Sequence, residues 1–319
     1  MKILYVSSWY TANINRWLSE AFEDLGHEVI RVGSTHFDHY GVTWDEKTQP
    51  KMTEVIPETA PLDLPLLVDK YKPDVLLLWD WTGNPACYVA DNKERTFTLN
   101  EKVPFIYVQH EGWANALERK NLFNPTVCYT GMPYGVKQSP IDSKTLGYKY
   151  LAGACYPKVH KITKTWAEKS LDCVLFAGMY SPRPEICQAL HDDGLNIVYG
   201  NVATKEYVEF HNSSRTTWEF SGGSQYIKWR IFEAMAMGCV VITDTFKLLG
   251  EVGFESWKHY VPHIPVDDMP MAISIARGIR MVRQWRDFSE TVREEAWNYV
   301  MSNHTYEHRA KMILKDIGA

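Results

Sequence analysis

Ser221-Gly-Gly-Ser-Gln-Tyr-Ile-Lys-Trp-Arg-Ile-Phe-Glu-Ala-Met-Ala-Met-Gly-Cys-Val-Val-Ile-Thr-Asp244 is the stretch on which the fold turns. Paired glycines open it as a loop, and the apolar spacing that follows predicts a helix over Gln225–Met237. Gly238 stops that helix, and Cys239–Thr243 continues as a buried strand. Thr216–Phe220, just before the glycines, also reads as a strand, so the segment is a strand, loop, helix and strand in parallel order. A glycine loop admits close backbone approach, and the free N–H groups and dipole of a helix start favour an anion such as a diphosphate. Ser224 can cap the helix or bind a ligand oxygen. Arg230 and Glu233 are three apart, hence on one helical face, and suit a phosphate and a ribose diol respectively. The plainer alternative is a surface ion pair between them.

Outward from this unit the same alternation recurs. Upstream, Cys173–Phe176 and Ile197–Tyr199 read as strands, with helices over Pro184–Leu190 and Lys205–His211. Downstream, Ala272–Trp285, Phe288–Val300 and Thr305–Ile317 are helical. In the first half, Lys2–Val6 is a β-rich strand, and Ile14, Trp17, Leu18, Phe22 and Leu25 mark a helix that Gly26 ends. Glu28–Val32 is a second strand, closing a βαβ unit. Leu64–Tyr71 reads as a helix stopped by Lys72-Pro73, followed by strands at Val75–Leu78 and Val103–Val108. Such a chain is α/β, with parallel sheets covered by helices and ligands collected outside the carboxyl ends of the strands. The segment Ala152–Trp166, with Pro157 and weak periodicity, is the expected inter-domain crossing. It gives a first domain over 1–158 and a second over 159–319 that includes the terminal helices, the two facing a cleft.

Composition narrows the function classes. A length of 319 residues fits about two domains. Hydrophobic residues at 45% and charged residues at 23% are those of an ordinary folded protein, which excludes a disordered chain. A formal charge of −5 argues against a strong non-specific grip on nucleic acid or anionic membranes. The six cysteines lie far apart without a Cys-x-x-Cys, which suits reduced thiols in a cytoplasm. The N-terminus reads as a first strand rather than a signal peptide, and no run of about eighteen apolar residues predicts a membrane span. Neither Gly-x-Gly-x-x-Gly after the first strand nor a P-loop is present, so dehydrogenase and P-loop NTPase readings lose their main support.

Arg230-Ile-Phe-Glu-Ala-Met-Ala-Met-Gly-Cys-Val-Val-Ile-Thr-Asp244 resembles the signature of GT-B glycosyltransferases, especially the spore-maturation CgeB-like group. Val174-Leu-Phe-Ala-Gly-Met-Tyr-Ser-Pro-Arg183 resembles the first strand and loop of that family's donor domain. Leu151-Ala-Gly-Ala-Cys-Tyr-Pro-Lys-Val-His160 resembles its domain crossing, and Asn303-His-Thr-Tyr-Glu-His-Arg309 its closing helix motif. The resemblance covers the C-terminal half in order and spacing; the N-terminal half matches in general pattern. It implies two Rossmann-like domains, a nucleoside-diphosphate-sugar donor held mainly by the second, an acceptor held mainly by the first, and no metal. It also implies that Glu233 binds the donor ribose and that Gly178 and Arg183 lie by the diphosphate, where the guanidinium neutralises the leaving group. Family members carry a second Glu eight residues before the first; here that place is Gln225, whose amide binds hydroxyls without charge.

In the first half, Tyr107-Val-Gln-His-Glu-Gly112 follows an apolar strand, which puts His110 and Glu111 at its carboxyl edge. By comparison with such transferases His110 is expected to touch the donor sugar and Glu111 to take the acceptor proton, against the alternative of hydrogen-bonded loop residues. Asp80 and Trp81, at the end of another strand, are expected acceptor contacts together with Trp113. Asp267-Asp268 lacks the alternate spacing of a metal-binding pair, and His304 and His308 have no further ligands near them, so neither is read as a metal site. The reading is a glycosyltransferase moving a sugar from a UDP-linked donor, with no other cofactor, to a hydroxyl on a glycan, a metabolite or a hydroxymethylated DNA base. Retention is implied by the resemblance. The rivals are a sugar-nucleotide epimerase of the same plan and a non-catalytic nucleotide-sugar-binding protein.

Overall fold

The computed structural model describes residues 1–7, 9, 14–33, 51–56, 62–80, 96, 98–109, 116–131, 144–177, 181–200, 202, 204–220, 226–263 and 270–319, with backbone alone at Asp80 and 116–119. They divide into two compact units. The first runs up to Leu151 and takes back Tyr306–Ala319; the second is formed by Ala152–Thr305.

In the first unit the strands are β1 (Lys2–Ser7), β2 (Glu28–Gly33), β3 (Glu54–Val55), β4 (Val75–Asp80), β5 (Phe105–Gln109), β6 (Val127–Thr130) and β7 (Lys149–Tyr150). Among the described residues they form one parallel sheet in the order β3-β2-β1-β4-β5-β6-β7. Both faces are covered, which is why β4 and β5 run apolar up to their last residues, Asp80 and Gln109, rather than alternating. The helix Ile14–Asp24 buries Ile14, Trp17, Leu18 and Phe22 of the stripe read from the sequence, together with Ala21. Gly33 ends β2 at φ +147, and a Cβ there would lie 1.7 Å from the Ser7 carbonyl oxygen, so only glycine lets β1 and β2 finish together.

The second unit contains β8 (Leu171–Phe176), β9 (Ile197–Gly200), β10 (Ser214–Glu219), β11 (Val240–Asp244) and β12 (Val261–His263), parallel in the order β12-β11-β10-β8-β9. Counted within the unit this is 2-1-3-4-5, the flavodoxin-like doubly wound order, and the strand order reverses between β8 and β10. Its core joins Cys173, Leu175, Trp218, Val240 and Ile242 of the sheet to Ile275, Ile279 and Val282 of the helix Met271–Gln284. Each large apolar side chain buried there contributes about 1.5–3 kcal/mol.

Three expectations change. The domain boundary falls after Leu151 rather than 158, and the last helix, Tyr306–Asp316, belongs to the first unit rather than the second. It packs against Ile14–Asp24. Asp316 accepts from the Tyr129 hydroxyl at 2.5 Å and pairs with Lys149 at 2.7 Å, so its partners are on β6 and β7. Among the described residues the two ends of the second unit meet: Cys155 forms a parallel bridge with Thr305, and the Cys155 N–H donates to the His304 carbonyl at 2.9 Å.

Third, the helix expected from Gln225 begins only at Trp229 and runs to Ala236. Lys228 is its N-cap in extended conformation, and Tyr226 and Ile227 lie buried ahead of it. An aromatic and a β-branched residue lose little by staying extended, and burying both outweighs another helical turn. Ser224, four residues before that cap, is therefore not the capping residue. Gly238, at φ +72, closes the helix as expected, with the Cys239 N–H reaching back to the Ala234 carbonyl at 2.9 Å.

Candidate active site

At the strand-order reversal of the second unit, a set of buried polar side chains gathers at the carboxyl ends of β8 and β10. Glu219 is the last residue of β10 and is 3% exposed. The following helix brings Arg230 to it, and the guanidinium grips the carboxylate from two nitrogens, Nε at 2.5 Å from Oε1 and Nη2 at 3.2 Å from Oε2. Burial opposes the guanidinium's charge, but the Glu219 carboxylate outweighs it and raises the pKa of Arg230. Arg230 thus pairs with Glu219, not with Glu233 on its own helix. The phosphate contact expected of it meets a side chain only 15% exposed, with its fork already engaged.

Glu233, one turn further along, faces a different set of groups. Its Oε2 accepts a hydrogen bond from the Tyr207 hydroxyl at 2.7 Å. Its Oε1 lies 3.8 Å from His160 Nε2, too far for a hydrogen bond. Tyr207 belongs to the helix Thr204–Ser213, and its ring packs on Phe176 at the end of β8 and on His211, with centroids 5.9 Å and 4.2 Å apart. Burial raises the Glu233 carboxyl from 4.5 to about 7, while the Tyr207 hydrogen bond and the Arg230 charge pull the other way and Glu219 adds to the rise. The set holds two carboxylates and one guanidinium, so an ionised Glu233 is the charge left unbalanced within it.

Neither histidine supplies the missing positive charge. Burial holds His160 down to about 3 and His211 to about 4. His160 Nδ1 accepts the Tyr156 N–H at 3.0 Å, which leaves the ring proton of its neutral form on Nε2, the nitrogen facing Glu233.

Of the other expected residues, Arg183 is half-buried in the first turn of the helix Arg183–Asp192, which follows β8 on the same sheet edge. In the first unit, Asp80 closes β4 and is in register with Gln109, the last residue of β5. Gly178, Gly223, Ser224, Gln225, Trp81, His110, Glu111 and Trp113 lie outside the described residues, as does the Asp80 side chain. His304 is buried and stacked on Phe254, with centroids 5.5 Å apart at 20°, in keeping with packing.

Tyr207, His160 and Glu219 were not anticipated. For Glu219 a signal existed: a carboxylate ending the otherwise uncharged run Thr216-Thr-Trp-Glu219 has no reason to be at the buried end of a central strand unless something pairs with it. Tyr207 and His160 carry no such mark.

Residues 176–315 match the family model described as glycosyl transferase-like. No curated protein matches the chain. Among solved structures, an α-glucosyltransferase in complex with UDP and a DNA containing an HMU base aligns with a TM-score of 0.66 at 13% identity, covering 100% of both chains. A glycosyltransferase from Rickettsia africae aligns at 0.64 with 12% identity over 99% of this chain and 97% of that one. HepE of Anabaena, solved with UDP-glucose, aligns at 0.59 with 12% identity over 99% of each chain. At such identities the likeness speaks to fold. No helix among the described residues is long and apolar enough to cross a membrane. With two doubly wound units, the family match over the second and the carboxylate at its strand reversal, the protein is a glycosyl-transfer enzyme of the GT-B architecture, and residues 176–315 are its glycosyl transferase-like segment.

Proposed function

We propose that the enzyme transfers a hexosyl or pentosyl group from a UDP-linked donor to a hydroxyl acceptor, with retention and without a metal ion. The observation that carries this reading is Glu233, a carboxylate held at the strand reversal of the unit that matches the family, with one oxygen engaged by Tyr207. Ionised, it accepts hydrogen bonds from the ribose hydroxyls and orients the nucleotide. Arg183, on the same sheet edge, neutralises the diphosphate as the sugar leaves, aided by backbone N–H groups at Gly178 and around Gly223. Gln225 contacts the sugar as a neutral amide, and Ser224 a ligand oxygen. His110 touches the donor sugar, Glu111 takes the acceptor proton, and Asp80, Trp81 and Trp113 hold the acceptor. Arg230 stabilises Glu219 beside the nucleotide rather than reaching the diphosphate. UDP and UDP-glucose in the structures of similar fold support the choice of donor base.

The acceptor is a glycan, a small metabolite or a modified DNA base. The last gains support from the DNA held by the α-glucosyltransferase of similar fold, and none from the net charge of −5. A thermal-shift panel of nucleotide sugars identifies the donor. Glu233→Ala and Arg183→Ala should then weaken its binding by about ten- to a hundredfold, the worth of a hydrogen bond to a charged group. His110→Ala and Glu111→Ala should spare binding and lower turnover. Equal donor affinity in all four variants refutes the assignment; binding of the sugar nucleotide without transfer to any hydroxyl acceptor favours a sensor instead.

A further inference from the structure

Before any nucleotide arrives, Glu233 is already oriented. The groups around it come from four directions: Tyr207 and His211 from the helix Thr204–Ser213, His160 from the crossing segment, Glu219 from β10, and Arg230 from its own helix. Among the described residues, only Tyr207 bonds to the carboxylate, at Oε2. Oε1 accepts no hydrogen bond among the described residues, because His160 Nε2 stands 3.8 Å away. The Tyr207 ring is itself fixed between Phe176 and His211, and the His211 ring donates from Nδ1 to the Tyr207 carbonyl at 2.8 Å, so the hydroxyl is delivered from a packed scaffold.

Resting on the reading of Glu233 as the ribose contact, we infer that Tyr207 is a positioning residue for the donor: its hydroxyl holds Oε2, leaves Oε1 for the ribose hydroxyls, and keeps the carboxylate ionised enough to accept from them. Two consequences follow. A protonated Glu233 presents a donor where the ribose also presents donors, so nucleotide affinity falls on acidification. Removing the Tyr207 hydroxyl takes away a bond that favours the charged form and moves this loss to higher pH. The neighbours leave Glu233 as the group of this set that titrates near neutrality, since both histidines stay neutral there and burial together with the Glu233 charge puts Tyr207 well above its usual 10.

The test is calorimetric titration of the full-length enzyme with UDP-glucose, whose diphosphate does not ionise further near neutrality, from pH 5.5 to pH 9. Wild type should bind about thirtyfold more weakly at pH 5.5 than at pH 9, as expected for a required carboxylate half-protonated near 7. Tyr207→Phe, which keeps the ring packing, should show the same loss about one pH unit higher and return to within about twofold of wild type at pH 9. Restoration at alkaline pH is what a merely structural defect would not give. A Tyr207→Phe profile superimposed on wild type, or lowered by one constant factor at every pH, overturns the inference. Glu233→Gln separates this from the underlying reading. If Glu233→Gln binds weakly and without the pH dependence while Tyr207→Phe behaves as wild type, the positioning role alone fails; if Glu233→Gln binds as wild type at every pH, the ribose assignment fails with it.

Discussion

Glu233→Gln should make the nucleotide-free protein more stable above neutral pH while weakening its hold on the donor. The carboxyl is 6% exposed, and burial raises it from 4.5 to about 7. A group whose folded-state pKa is raised contributes stability that is complete below 4.5 and is lost as pH climbs through about 7. At about 1.4 kcal/mol per pH unit, the ionised carboxylate costs the folded enzyme about 3 kcal/mol at pH 8. Glutamine keeps the shape, offers an amide oxygen to the Tyr207 hydroxyl, leaves the Arg230–Glu219 pair untouched and cannot ionise. The stability difference between variant and wild type, from urea unfolding at pH 5, 6, 7 and 8, should therefore grow in the variant's favour by about 2–3 kcal/mol and level off above pH 7. A difference that stays flat across this range refutes the account of Glu233 as a strained buried acid. Instability relieved by losing a side chain proposed to hold the donor is the trade expected at a functional site.

Lys169 is a second buried charge, 1% exposed, whose ammonium donates to the carbonyls of His211, Asn212, Ser214 and Met237 at 2.9–3.4 Å. Lys169→Met strands those acceptors and should cost about 3 kcal/mol or more in urea unfolding; a loss below about 1 kcal/mol would show that water replaces the ammonium. Arg230→Ala leaves the Glu219 carboxylate buried without its partner and should cost about 3–5 kcal/mol, with Arg230→Lys recovering only part because an ammonium cannot match the two-point contact. Full recovery by lysine in the same assay would contradict the importance given to the bidentate geometry.

Much of this architecture was legible because periodicity carries it. The helix Leu64–Tyr71 was read to the residue, its end written in Lys72-Pro73, and Lys72 does take the left-handed conformation at φ 48. The central strands β1, β4, β5, β8 and β11 showed as apolar runs for the same reason they fold, burial on both faces, whereas β3, β6, β7 and β12, of two to four residues, are too short to carry such a signal. The delayed start at Trp229 was not legible, since Tyr226 and Ile227 fit the helical spacing as well as the buried extended path, and tertiary burial decides between them. Membership of Tyr306–Asp316 in the first unit could not be seen either, because chain order says nothing about which sheet Asp316 will meet. At the site, Glu233 stood out through its place in a motif. Tyr207, 26 residues earlier, and His160, in the crossing, converge on it only through the fold, and a lone tyrosine on a short helix bears no sign of where its hydroxyl will point.

The bridge between Cys155 and Thr305 bears on how this protein can be cut and rejoined. Both ends of Ala152–Thr305 meet at the Cys155–Thr305 bridge, so that stretch can be handled as an insert between Leu151 and Tyr306. Sealing Ala152 to Thr305 through a few glycines and opening the ring at an exposed turn, such as Asp193-Gly194, would give a permuted form of the second unit. Grafting a foreign insert between the same two residues would pair one first unit with different second units.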